Sequence, residues 1–139
     1  MLQRQIGSYL AEAGIGQYDE KGGQGNIFIE HLPAAPDKVV AIFRTGGYQS
    51  DGKLPYDDPT IQIVVRGKPE DVVQPSDLAQ AIFDELHGFR ARRFALGGYY
   101  IVNCIGVQSG PVHIGADENR RHEYSLNFQL HIQNDGRRP

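Results

Sequence analysis

The sequence predicts an α+β domain, two helices and a mainly antiparallel sheet in the order α-β-β-β-α-β-β. Three observations point there. Residues 123–133 alternate without a fault, with Tyr124, Leu126, Phe128, Leu130 and Ile132 on one side and Glu123, Ser125, Asn127, Gln129, His131 and Gln133 on the other. Two segments repeat apolar residues at helical spacing. Between them lie β-branched runs too short and too apolar for surface helices.

Leu2, Ile6, Tyr9, Leu10 and Ala13 form a helical stripe, and Gly14 and Gly16 follow as stop signals, so residues 1–13 read as a short amphipathic helix. "GIGQYDEKGGQG" reads as a loop, and "NIFIEHLP" as a short strand ending at Pro33. "KVVAIFRT" is apolar on both sides of its alternation and predicts a strand buried on both faces. Residues 46–57 read as a long polar loop, and in "TIQIVVRG" Ile61, Ile63 and Val65 share one face of a strand. Pro75 and Ser76 open the second helix, whose stripe is Leu78, Ala79, Ile82, Phe83 and Leu86. Asp77 suits its positive end and Gly88 its C-terminal stop. "YYIVNCIGV" is the next strand, and residues 134–139 read as a flexible C-terminal tail on one domain spanning 1–139.

Length and composition limit the function classes. The 139 residues fit one core, and 40% hydrophobic content favours folding over disorder. The net charge of −3 offers no bulk positive field for nucleic acid. Cys104 is the one cysteine, which excludes an internal disulfide and multi-cysteine metal sites and suits a reducing compartment. No secretory leader and no run approaching ~20 apolar residues is evident, so a soluble chain made in the cytoplasm, with no membrane partner, is the expectation.

No catalytic constellation stands out. "GYQSDGKL" matches G-x-x-x-x-G-K after a strand, but Leu54 stands where a magnesium-binding hydroxyl is needed and Pro55 opposes a following helix. A surface loop is the better reading; its alternative is a small enzyme binding a phosphate ligand through Gly47–Lys53. Asp57 and Asp58 read as turn residues beside Pro59. His113, Asp117, Glu118 and His122 could be drawn as metal ligands, but Arg120 and Arg121 would repel a cation. His87 suits a helix C-terminus, and Cys104 suits a buried structural thiol. "FRARRF" is a basic–aromatic cluster too small to mark a nucleic-acid site. No catalytic residue, cofactor or metal is expected.

The charged knot Asp117-Glu118-Asn119-Arg120-Arg121-His122-Glu123 precedes the best strand. Acids followed by arginines form a self-complementary pattern that could pair neighbours around a ring, since heterologous contacts close rings and guanidinium grips carboxylate bidentately. A solvated hairpin turn with local salt bridges accounts for the same residues.

The run "YDDPTIQIVVRG", a helix ending "IFDELHG", then "YYIVNC" and "GPVHIGADENRRHEYSLNFQLHI" together resemble the minor capsid or tail terminator proteins of long-tailed bacteriophages. The resemblance covers residues 40–132 and includes the "GG…P" loop within "FRTGGYQSDGKLPYDDP". It implies a structural virion protein that forms a ring, taken as six subunits, caps the tail tube, stops its polymerisation and joins the head connector. DNA would pass through the lumen without specific binding. It implies assembly in the host bacterial cytoplasm and a place at the head–tail junction, the alternative being another head–tail completion protein. The subunit joint is expected at Asp117, Glu118, Arg120, Arg121 and Glu123. A partner-contact loop is expected at Gly47, Tyr48, Asp51, Lys53 and Tyr56.

Overall fold

The computed structural model describes residues 1–21, 24–50 and 52–135. Its elements are α1 (Leu2–Glu12), β1 (Ile27–Ile29), β2 (Val39–Tyr48), β3 (Tyr56–Pro69), α2 (Val73–Leu86), β4 (Arg92–Arg93), β5 (Tyr100–Gly106), β6 (Val112–Ala116) and β7 (Arg121–Gln133). All seven strands belong to one sheet in the order β1-β2-β3-β7-β5-β4, with β6 also on β7. The pairings are antiparallel except β1 on β2. The fold is α+β with two helices, as the sequence predicts.

The perfectly alternating strand is the sheet's axis. β7 pairs with β3 along its whole length on one side. Its other side is shared: β6 takes Ser125 to His122, and β5 takes Gln133 to Phe128. Tyr124, Leu126, Phe128, Leu130 and Ile132 meet Ile61, Ile63 and Val65 of β3 and Val40 and Ile42 of β2 in the core beneath the helices. Burying a large side chain of this kind is worth about 1.5–3 kcal/mol. Residues 39–42 are all buried, as their unbroken apolar run requires.

Two glycines let α2 lie close on the sheet. A Cβ on Gly67 would sit 2.7 Å from Pro75 Cγ, and one on Gly106 would strike the Phe83 ring. α2 begins at Val73, two residues before Pro75, because Asp71 Oδ1 accepts from the Gln74 amide at 3.1 Å. Gly88, at φ 81°, ends it and donates to the Cys104 carbonyl.

Several local expectations change. The loop expected over 46–57 shrinks to 49–55, because Gly46, Gly47 and Tyr48 extend β2 past a register shift, and Tyr56 and Asp57 begin β3. Asp57 and Asp58 are therefore strand residues rather than turn residues; Asp57 is buried and Asp58 bonds His131 at 2.6 Å. β4 and β6 are additional strands. Arg92 and Arg93 belong to β4, where Arg92 lies 4.2 Å over the Phe89 ring. His87 sits at the end of α2, but its Nδ1 accepts from the Gly106 amide of β5 at 2.9 Å, tying helix to sheet. Of the expected tail, only residues 134–135 are described.

Candidate subunit interface at the β6–β7 turn

The charged knot is the turn of the β6–β7 hairpin. Asp117 organises it: its Oδ1 accepts from the Asn119 and Arg121 amides, both at 3.0 Å. The Arg120 amide closes onto the Asp117 carbonyl at 2.9 Å, and Arg120 takes φ 62°. A left-handed residue at this point lets a type I turn match the strand twist. Glycine would take it without strain, so an arginine here carries a backbone cost.

The five expected joint residues separate into two groups. Arg121 turns inward: 4% exposed, it bonds Asp117 Oδ2 at 2.8 Å, Asp37 Oδ1 at 3.2 Å and the Ala34 carbonyl at 2.7 Å. Arg66, the residue opposite Glu123 on β3, is also buried and bonds the carbonyls of Pro36 and Asp37 at 2.7 and 3.0 Å. The segment 34–37 thus docks against two arginines. Glu118 and Arg120 turn outward, and Arg120 makes an exposed pair with Glu70 at 3.1 Å.

The electrostatics of the inner group oppose each other. Burial alone would raise the Asp117 carboxyl, but the backbone and side-chain hydrogen bonds from Arg121, and one from Asn119, outweigh it and hold it below the usual carboxylate range. Burial and the Asp117 charge lift Glu123 above its ordinary value, against Arg66 and Arg121.

The expected partner-contact loop lies at the other end of β3. Gly47 and Tyr48 pair with Pro59 and Asp58. Tyr48 is 75% exposed and Leu54, at the tip, is exposed as well. Lys53 lies exposed in the connection, Tyr56 stacks on the His131 ring at 5.2 Å, and Asp51 lies outside the described residues. The sequence thus named both ends of the β3–β7 pair, and the structure sets them apart at opposite ends of one long strand. What it missed is Arg66, whose signal was a cation inside the apolar run "IVVRG".

The chain matches a family described as "Bacteriophage tail terminator protein" over residues 9–134. It belongs to that family. The family is one of structural virion proteins, so this chain is a tail-related structural component of a phage particle. A solved structure titled "Virion of native gene transfer agent (GTA) particle" contains a chain of similar fold, with TM-score 0.59 and 14% identity over 76% of this chain and 78% of that one. No curated protein matches. Among the described residues no helix is long and apolar enough to cross a membrane.

Proposed function

We propose that this chain ends the phage tail tube by closing into a ring, six-fold as the family resemblance implies, on the last tube layer. The ring covers the surface on which another layer would add, and its far side receives the head connector while DNA passes through. The mechanism is steric and uses no bond-making step. The observation that carries the reading is the family match across residues 9–134.

The placement of the charged groups supports a division of labour. Glu118 and Arg120, outward on the turn, make the ring joint directly. Asp117 and Arg121 serve it by fixing the turn, and Glu123 lies behind them in β7, opposite Arg66. The tip between β2 and β3, with Tyr48 and Lys53, reaches a neighbour or the tube. Head-to-tail contacts need two different patches, and the two ends of the β3–β7 pair provide them. Exposed charge pairs contribute about 0–1 kcal/mol each, so they fix register more than affinity. The negative net charge suits a lumen through which phosphate must slide.

The test mixes purified chain with tail tubes and reads mass and electron micrographs of tube ends. Rings on the ends, lost in a folded Arg120→Glu variant that sets like charges against each other, support the joint. Rings that survive that variant refute the joint assignment, and a chain that ignores tube ends refutes the terminator reading. Arg121 is unsuited to this test, because reversing its charge would place a carboxylate between Asp117 and Asp37. A head–tail completion protein of another kind would bind connectors and leave tube ends bare.

A further inference from the structure

His113 of β6 and His122 of β7 face each other across the hairpin, with His113 Nε2 2.9 Å from His122 Nδ1. The register explains the approach. His113 lies opposite Tyr124 and Ala116 opposite His122, with an irregularity at Gly115, which takes φ 112°. That irregularity brings two side chains from non-opposed positions to one point. His113 is exposed and His122 half-buried, and the His113 ring rests 5.1 Å from that of Tyr124. Neither imidazole belongs to the core.

We propose that this pair is a two-imidazole site for a divalent transition metal that prefers cis ligands at right angles, Cu²⁺ first and Ni²⁺ next. Imidazole nitrogens bind such ions at about 2.0–2.1 Å. Two ligands at 90° are then about 2.9 Å apart, against about 3.3 Å at a tetrahedral angle. The hydrogen-bonded separation is close to the right-angle span, so the two nitrogens can reach one ion with little change in their distance once the rings turn. In the free protein one ring donates its proton to the other. Binding needs both facing lone pairs, so the donor ring carries its proton on its far nitrogen instead. The broad χ2 torsion of histidine allows both rings to turn toward one ion.

The two arginines that argued against a cation are neutralised. Arg121 is held by Asp117 and Asp37, and Arg120 by Glu70. Among the described residues no third histidine, cysteine or carboxylate joins the pair. The site is therefore open, with two protein ligands and water in the other positions.

The experiment titrates the full chain with CuCl₂ and records calorimetry and electron paramagnetic resonance. One Cu²⁺ should bind per chain with two equatorial nitrogens. His113→Ala and His122→Ala should each leave one nitrogen and weaken binding at least about tenfold, the lower end of what losing even a supporting hydrogen bond costs a metal site. His131→Ala and His31→Ala should change nothing. Absence of binding overturns the proposal, and so does a spectrum that persists in the His113 and His122 variants. Circular dichroism of each variant establishes that it is folded.

Discussion

Arg66 and Arg121 grip one short segment from adjacent strands, Arg66 through the carbonyls of Pro36 and Asp37, Arg121 through the Ala34 carbonyl and the Asp37 carboxylate. Both guanidinium groups belong to buried residues, so their donors must be met by protein. Carbonyls of a loop with no ladder of its own meet them, and the loop gains its partners in the same act. Arg121 adds Asp117, which also holds the turn. One buried arginine thus couples the outward display of Glu118 and Arg120 to the interior.

Removing the carboxylate that Arg121 needs should be costly. Asp117→Asn leaves a buried guanidinium short of one charge partner and weakens the turn; a loss of about 3 kcal/mol is expected by urea denaturation. Because Asp117 titrates below its ordinary value, its contribution is fully present above about pH 3.9 and disappears as pH falls through the folded-state value. The gap between wild type and Asp117→Asn should therefore close in strong acid. A gap that stays constant down to acid pH would show that the charge is not what matters.

Glu123 should behave in the opposite sense. Its folded-state value is raised, so ionising it costs stability as pH climbs past the ordinary glutamate range. Glu123→Gln is expected to match or exceed wild-type stability at neutral pH and to lose that advantage in acid. Clear destabilisation at pH 7 would mean that its attraction to Arg66 and Arg121 outweighs desolvation.

Gly47 and Gly52 offer a matched backbone pair. Gly47 takes φ 133°, and a Cβ there would overlap the Asp58 carbonyl oxygen, whereas a Cβ on Gly52 meets nothing within 4 Å. Gly47→Ala should cost about 2 kcal/mol or more, since it combines strain with a clash against backbone, and Gly52→Ala should be near neutral. Equal melting temperatures for the two variants would contradict the assigned geometry of β2.

Cys104 is buried and its thiol is pushed up to about 12. Thiolate is the reactive form, so the folded chain should resist a disulfide reagent at pH 8 and react fully once unfolded in guanidinium. Rapid labelling of the native chain would place the thiol in a different environment.

Strands that bury a face are plain in the sequence, because alternation is what burial demands: Tyr124 to Ile132 in β7, Ile61 to Val65 in β3, the apolar run in β2. β6 gives no such signal. Its Val112 and Ile114 are exposed, and Gly115 interrupts it, so it exists through its ladder with β7 rather than through a face of its own. β4 is two residues long and equally silent. The extent of β2 is hidden for another reason, since Gly46 and Gly47 punctuate like a loop but continue as a strand around an irregularity. In the charged knot, residue types showed that carboxylates and guanidinium groups would meet. Which arginine turns inward depended on a partner segment 84 residues away, where Asp37 waits.

The position of β7 between β3 and β5 governs when the molecule can take shape. A polypeptide emerging from the ribosome exposes β3 with one side unsatisfied, β5 held by the two-residue β4 alone, and β6 without its β7 partner, until residue 133 has cleared the exit. Released chains truncated after residue 120 should be digested readily by protease, and released chains that include residues 121–135 should resist. Such late closure keeps an unfinished copy from presenting the completed fold to any partner.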